Sequence, residues 1–334
     1  MIETAVLPVV DITALVQGDR AARAAVAAQL DRACADAGFL TITGAQLDPA
    51  IFARVLARAK AYFAQDEATK MASYIGKSVN HSGYVPVGEE QFAGATPDLK
   101  EAFDCNRDYR AEEGRRPLLG PNLWPEMPGF REDVLAYYEH VTAIGRQLFA
   151  AFALALGLEE DHFAAHTRHS PSQLRLIHYP FDPTAQDRPG IGAHTDYECF
   201  TLLYATTAGL QIVDRDGAWR DVPLVPDSLI MNIGDMMEIM SNGRYLATRH
   251  RVKRVAQERY AFALFHACDY DHVVAPVVRG EAPRYAPLKS GEHLFNQTAQ
   301  TFRYLKERIA RGELVLDDAV PLDSFGRRVE VAPT

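Results

Sequence analysis

The chain is short of cysteine, has no excess of positive charge and contains no long apolar run. Its four cysteines (Cys34, Cys105, Cys199, Cys268) are scattered and form no CxxC pair. That argues against a disulfide framework or a cysteine zinc site and reads as reduced thiols in a cytoplasmic protein. The 35 lysines and arginines are outnumbered by 44 aspartates and glutamates, for a net charge of −9. Such a balance disfavours nucleic acid or an anionic membrane as the main partner and leaves a small molecule as the default. No apolar stretch approaches the length that crosses a bilayer. The opening Met1-Ile2-Glu3-Thr4-Ala5-Val6-Leu7-Pro8 lacks the basic start and apolar run of a signal peptide. There is no internal repeat or low-complexity block, which sets aside solenoids and propellers. Nothing in the composition bears on oligomeric state.

What is present is an ordinary globular composition, 334 residues with 48% hydrophobic and 24% charged, enough to bury a sizeable core. The pattern is that of one domain over residues 1–334. An α/β region over about 1–130 holds strands at Val6–Ile12 and Gly38–Thr43 and helices at Arg20–Ala37 and Pro49–Ala64. Within it, residues 76–130 are dense in glycine and proline and read as an irregular, partly exposed connection. A long helix over about 131–158 stops at Gly157. From about 173 to 280 short apolar segments follow one another: Leu174–Tyr179, Phe200–Ala205, Gly209–Val213, Ser228–Ile233, Thr248–Val252, Tyr260–His266 and His272–Ala275. Short strands at such close spacing predict a sandwich or barrel, with a jelly roll the natural candidate. A last helix over about 292–311 packs on it. The expected fold class is therefore mainly β with flanking helices, around a double-stranded β-helix (jelly-roll) core.

Inside the β-rich half lies Gly190-Ile191-Gly192-Ala193-His194-Thr195-Asp196. Of 11 histidines, His194 alone is followed two residues later by aspartate. In a strand, positions i and i+2 face the same side, so the imidazole and the carboxylate can converge on one ion. A second histidine, His250, lies in a later predicted strand. Two imidazoles and one carboxylate leave three positions open on one face, which suits iron(II) that must bind a chelating cosubstrate and O2 together. Arg259 then opens the apolar strand Tyr260-Ala261-Phe262-Ala263-Leu264-Phe265-His266. Burying a guanidinium there is costly without an anion, and its planar fork matches a carboxylate. Taken singly, each feature has a plain structural explanation: a surface His–Asp pair, a histidine among Arg249, Arg251 and Arg254, an arginine at a strand end. Their conjunction in a jelly-roll pattern makes the chemical case.

With these motifs the chain resembles the isopenicillin N synthase-like family of iron(II)/2-oxoglutarate dioxygenases over nearly its whole length. Leu7-Pro8-Val9-Val10-Asp11-Ile12 and Gly38-Phe39-Leu40 look like the family's opening strands. Asp98-Leu99-Lys100-Glu101-Ala102-Phe103-Asp104 and Asn122-Leu123-Trp124-Pro125 resemble its linker segments, and Leu174-Arg175-Leu176-Ile177-His178-Tyr179-Pro180 its strand before the His-x-Asp. The resemblance implies iron(II) on His194, Asp196 and His250, 2-oxoglutarate on Arg259 with Tyr179 and Arg175, and O2 as the oxidant. It implies hydroxylation, desaturation or cyclisation of a small molecule, with release of succinate and CO2. Two departures stand out. Ala261 occupies the place of the family's serine that helps grip the distal carboxylate, and Ile177 that of an asparagine. Ser82-Gly83-Tyr84-Val85-Pro86-Val87-Gly88-Glu89-Glu90, the segment from Gly192 to Tyr197, Arg259-Tyr260-Ala261 and Gly291-Glu292-His293 also look like the bacterial ethylene-forming subgroup. There, residues matching Glu90 and Tyr197 hold an arginine substrate, and the nearest match to its C-terminal arginine is Arg303. Phe265 completes the expected pocket. A 2-oxoglutarate-independent oxidase of isopenicillin N synthase type, an ethylene-forming enzyme and a non-catalytic metal-binding barrel remain alternatives at this point.

Overall fold

The computed structural model describes residues 4–91, 97–109, 116–181, 190–253 and 257–316. The chain opens with β1 (Val9–Asp11), α1 (Thr13–Gln17), α2 (Arg20–Asp36), β2 (Phe39–Thr43), α3 (Pro49–Phe63) and α4 (Glu67–Met71). Two of these helices have a chemical start signal: Asp19 accepts from the Ala22 amide ahead of α2, and Asp48 caps α3 with Pro49 in its first turn. Next come β3 (Gly83–Val85), β4 (Glu101–Asn106) and α5 (Phe130–Ala155). The β-rich half runs β5 (Gln173–Tyr179), β6 (Ile191–His194), β7 (Phe200–Ala205), β8 (Leu210–Val213), β9 (Trp219–Asp221) and β10 (Leu229–Ile233). It continues with α6 (Asp235–Met240), β11 (His250–Val252), β12 (Arg259–His266), β13 (Val273–Val274), β14 (Leu288–Lys289), α7 (Ser290–Thr301) and α8 (Arg303–Ala310).

Two sheets carry the architecture. The larger has the order β1-β2-β10-β7-β12-β5-β4-β3, the smaller β6-β11-β8-β9. Alternation along the large sheet sends side chains to two cores. Leu40, Leu176, Met231, Tyr260, Phe262 and Leu264 join the cluster that holds α2, α3 and α5. Their neighbours Phe39, Ile177, Tyr179, Ile230 and Ala261 join a second cluster with Ile191, Leu210, Ile212 and Val252 of the small sheet. A strand has period two, so one face packs on helices while the other faces the second sheet. That is the jelly-roll arrangement, and it aims Arg175 and Arg259, which share parity with Ile177 and Ala261, between the sheets.

Two sequence expectations are corrected. The stretch 76–130 is not merely a connection: β4 lies within it, is buried along its length and pairs with β5 from Glu101↔His178 to Asn106↔Gln173. Flanking glycines and prolines hid a strand whose charges are internally neutralised. Glu101 is bonded by Lys70 and His178, and Asp104 by Arg175. The last helix is two. Phe302 breaks it with extended backbone (φ −87, ψ 128) because it bridges Glu90 as a strand would, with the Gln91 amide donating to the Thr301 carbonyl and the Arg303 amide to that of Glu89. Among the described residues no helix is long and apolar enough to cross a membrane.

Candidate active site

β6 and β11 pair antiparallel with His250 directly opposite His194, which brings the two rings to 4.3 Å between centroids. Asp196 follows just beyond β6. Its Oδ1 lies 3.6 Å from His194 Nε2 and 3.5 Å from His250 Nε2, and one ligand atom from each residue falls within 4.8 Å of the others. The surroundings fix which atoms face the centre. His194 Nδ1 donates to the Gly192 carbonyl (2.8 Å) and His250 Nδ1 to that of Thr248 (3.2 Å), so each Nε2 keeps its lone pair for a metal. Asp196 Oδ2 accepts from Asn232 Nδ2 (2.7 Å) and from the Thr201 hydroxyl, which leaves Oδ1 for the ion. Burial, then His250, pushes His194 down to about 4. Burial alone would lower His250 and raise Asp196, but their mutual attraction wins, holding His250 above and Asp196 far below their ordinary values.

Behind this centre, β12 and β5 set Arg259 opposite Tyr179. Arg259 is 1% exposed. Its Nε donates to the Thr207 carbonyl (3.0 Å), and the guanidinium lies over the Tyr179 ring, 4.7 Å from the centroid. Nη1 is buried with no hydrogen-bond partner among the described residues. A buried charge is normally paired, so this atom points to an anion supplied from outside. Gly190 makes room, since a Cβ there would come within 2.9 Å of the Tyr179 ring. Ala261, two residues along on the same face, is 1% exposed and flanked by Ile177 and Ala205. The departures from the family pattern thus lie side by side.

Residues 7–127 match the family model for the N-terminal part of the non-haem dioxygenase in morphine synthesis, and residues 170–267 match the 2OG-Fe(II) oxygenase superfamily. The 2-oxoglutarate-Fe(II) type oxidoreductase hxnY of Emericella nidulans is 34% identical, covering 84% of this chain and 86% of its own. A homoarginine-6-hydroxylase of Arabidopsis thaliana is 31% identical, covering 89% and 97%. The chain belongs to the 2-oxoglutarate/iron(II) oxygenases. A Neurospora crassa structure solved with alpha-KG and thymine shares the fold, at 23% identity and a TM-score of 0.77 over 88% of this chain and 96% of that one. The oxygenase is accordingly a non-haem iron(II) dioxygenase that uses 2-oxoglutarate and O2 on a small molecule. The oxidase, ethylene-forming and non-catalytic alternatives are not favoured.

The cavity of the oxygenase beside the His–Asp–His centre is lined by Glu90, Arg175, Tyr197, Glu198, Phe265 and Phe302, among others. Glu90, Tyr197 and Phe265 therefore come together where the sequence expected a substrate pocket. Arg175 does not join Arg259 and Tyr179. Its Nε and Nη2 each bond Asp104 at 2.8 Å and its Nη1 reaches Glu90 (3.0 Å), so it supports the cavity wall instead. The cause is register: Arg175 faces Ala263, four residues beyond Arg259 on β12. Arg303 pairs with Glu89 and stays more than half exposed. Sequence reasoning missed the buried charges around Glu90. Lys100 bonds Glu90 and lies 3.3 Å from Asp98, and the Lys-Glu pattern in the linker was the available signal. Burial would raise Glu90, but Arg175 and Lys100 hold it well below the usual carboxylate range. Glu198 also went unnoticed. It has no ion-pair partner among the described residues, and burial, then Asp196, pushes it up to about 8.

Proposed function

We propose that His194 Nε2, Asp196 Oδ1 and His250 Nε2 hold iron(II), and that Arg259 grips the far carboxylate of 2-oxoglutarate with Tyr179 against it. The observation that carries this reading is the unpartnered, buried Nη1 of Arg259 between the sheets that also bring the three ligands together. When bound, the metal and cosubstrate supply oxidative decarboxylation to succinate and CO2, coupled to hydroxylation of a substrate C–H. The protein's part is positional. Thr201 and Asn232 keep one oxygen of Asp196 occupied, Gly192 and Thr248 fix both ring tautomers, and the apolar wall of Ile177, Ala205 and Ala261 keeps water from the carboxylate site.

The substrate reading follows from the cavity. Three aromatic side chains, Tyr197, Phe265 and Phe302, with charged groups at their edge suit a small ring that carries hydrogen-bond donors and acceptors. The Neurospora protein of the same fold holds thymine, a molecule of that shape. A guanidinium substrate, suggested by the Arabidopsis relative, is the second reading. Glu198 favours it, whereas Glu90 is already occupied by Arg175 and Lys100. Loading the protein anaerobically with iron(II) and 2-oxoglutarate, adding thymine or homoarginine, and reading succinate and product after oxygen is admitted separates the two. No iron-dependent consumption of 2-oxoglutarate would overturn the function itself. We read residues 4–316 as one domain, since the second core draws on residues from Leu7 to Leu305. Four free, buried thiols support a cytoplasmic location.

A further inference from the structure

We propose that Asp98, held by Lys100, is a positioning residue for His194 and ties that ligand to the substrate wall at Glu90. The inference rests on His194 being a metal ligand. Among the described residues β6 is the edge strand of the small sheet, so its outward amides have no strand there to receive them. Its pairing with β11 also slips: His250 faces His194, yet Val252 faces Ile191. The extra residue makes a bulge at Gly192-Ala193, the kind of irregularity that re-aims the neighbouring side chain. A bulge on an edge strand is free to shift unless something pins it.

Asp98 supplies the pin. Its Oδ1 accepts the Gly192 amide at 2.9 Å, and the carbonyl of the same glycine accepts His194 Nδ1 at 2.8 Å. One residue is thereby gripped at both ends, by the carboxylate on one side and the ligand imidazole on the other. Lys100 lies 3.3 Å from Asp98 and also bonds Glu90, while the Asp98 amide donates to the Glu90 carbonyl at 3.2 Å. The path Glu90–Lys100–Asp98–Gly192–His194 is continuous from the cavity wall to the ligand. Asp98 is 1% and Lys100 3% exposed. Two ions buried this deeply add little net stability compared with apolar residues, which makes positioning the better account of their presence.

The test uses cobalt(II) as the probe, with affinity and the visible d–d band read on the full-length protein alongside the melting temperature of the metal-free form. Asp98→Ala should weaken cobalt(II) binding by about ten- to a hundredfold, the range found when a group that orients a ligand is removed, and should change the band. Asp98→Asn keeps an oxygen that accepts the same amide, so its affinity should stay within about threefold of wild type. Lys100→Met, which leaves Asp98 free to turn away, should fall between them. Wild-type affinity in Asp98→Ala, or equal losses in the alanine and asparagine variants, would overturn the proposal. If the alanine variant does not fold, unchanged affinity and an unchanged band in Lys100→Met would overturn it instead. Failure of the wild type to bind cobalt(II) would refute the metal assignment itself, and this inference with it.

Discussion

Replacing Arg259 with methionine should move two properties in opposite directions. The side chain is 1% exposed, gives one hydrogen bond to the Thr207 carbonyl, stacks on Tyr179, and leaves Nη1 unpaired. Methionine loses a bond worth about 1 kcal/mol and a cation–π contact of about 0.5–2 kcal/mol. It also removes a buried charge that no carboxylate pairs among the described residues, a change worth up to about 1–4 kcal/mol of stabilisation where apolar atoms fill the space. The metal-free, cosubstrate-free protein should therefore melt at the wild-type temperature or slightly above it. With iron(II) present the balance reverses. A charge-assisted contact to the distal carboxylate is worth about 1.5–3 kcal/mol, so the 2-oxoglutarate Kd should rise roughly ten- to 150-fold. Lysine should recover only part of the loss, since a point charge lacks the fork. Anaerobic titration followed by the metal-to-ligand absorption band gives the Kd, and thermal scans of the apoprotein give the other half. Binding within threefold of wild type would place the carboxylate elsewhere. An apoprotein that melts far below wild type would show that the guanidinium is structural.

Four further outcomes follow from the same geometry. Ala261→Ser adds a hydroxyl beside Arg259, and should tighten 2-oxoglutarate by up to about 1 kcal/mol in the same titration; weaker binding would mean that the pocket is packed around the methyl group. Asn232→Leu frees Asp196 Oδ2 from its 2.7 Å donor and should weaken cobalt(II) binding about tenfold or more, checked by equilibrium dialysis. In the metal-free protein His250 is held above its ordinary 6.5, Asp196 outweighing burial. Its proton stabilises the fold fully below that value, and the contribution is lost as pH rises through the raised one. Metal needs the neutral ring, so cobalt(II) affinity should rise with pH through that window, with proton release visible by calorimetry in two buffers; affinity flat between about pH 6 and 8 would contradict it. Arg175→Met strands Asp104 as a buried anion, leaves Glu90 with Lys100 alone, and should destabilise the protein by about 3–5 kcal/mol in a urea titration, where a loss under 1 kcal/mol would show that the network relaxes.

The parts of the site visible in the sequence were those that a strand presents at fixed spacing. His194, Asp196 and the later His250 follow from ligand chemistry, although Asp196 lies just beyond β6 rather than within it; Arg259 follows from its place at the head of an apolar strand and Ala261 from the family resemblance, and the short apolar segments disclose most of the strands. What stayed hidden depends on partners distant in the chain. β4 looks like connection because its charges are satisfied by Lys70 of α4 and by His178 and Arg175 of β5. The break at Phe302 has no proline or glycine to announce it, since the cause is a bridge to Glu90. Arg175 was assigned to the cosubstrate from its strand alone; only the register against β12 and β4 shows that it serves Glu90 and Asp104.

The charges on the two sides of the centre set the direction in which a dianion such as 2-oxoglutarate is drawn. On the cavity side, three carboxylates (Glu90, Asp98 and Asp104) are set against two cations, Lys100 and Arg175, all of them buried. Both cations have their carboxylates in hand, and Glu198, pushed up to about 8 by burial and then Asp196, adds a carboxyl group with no ion-pair partner among the described residues rather than a cation. On the other side the Arg259 guanidinium keeps Nη1 without a hydrogen-bond partner among the described residues. A dianion approaching the metal therefore meets an unpaired cation in one direction and an acid excess in the other. In a low-dielectric interior that difference is felt strongly. The polarity rests on strand parity and register: the same inner face of β5 and β12 carries both arginines, and the pairing that puts Asp104 opposite Arg175 while leaving Tyr179 opposite Arg259 makes one a scaffold and the other a receptor.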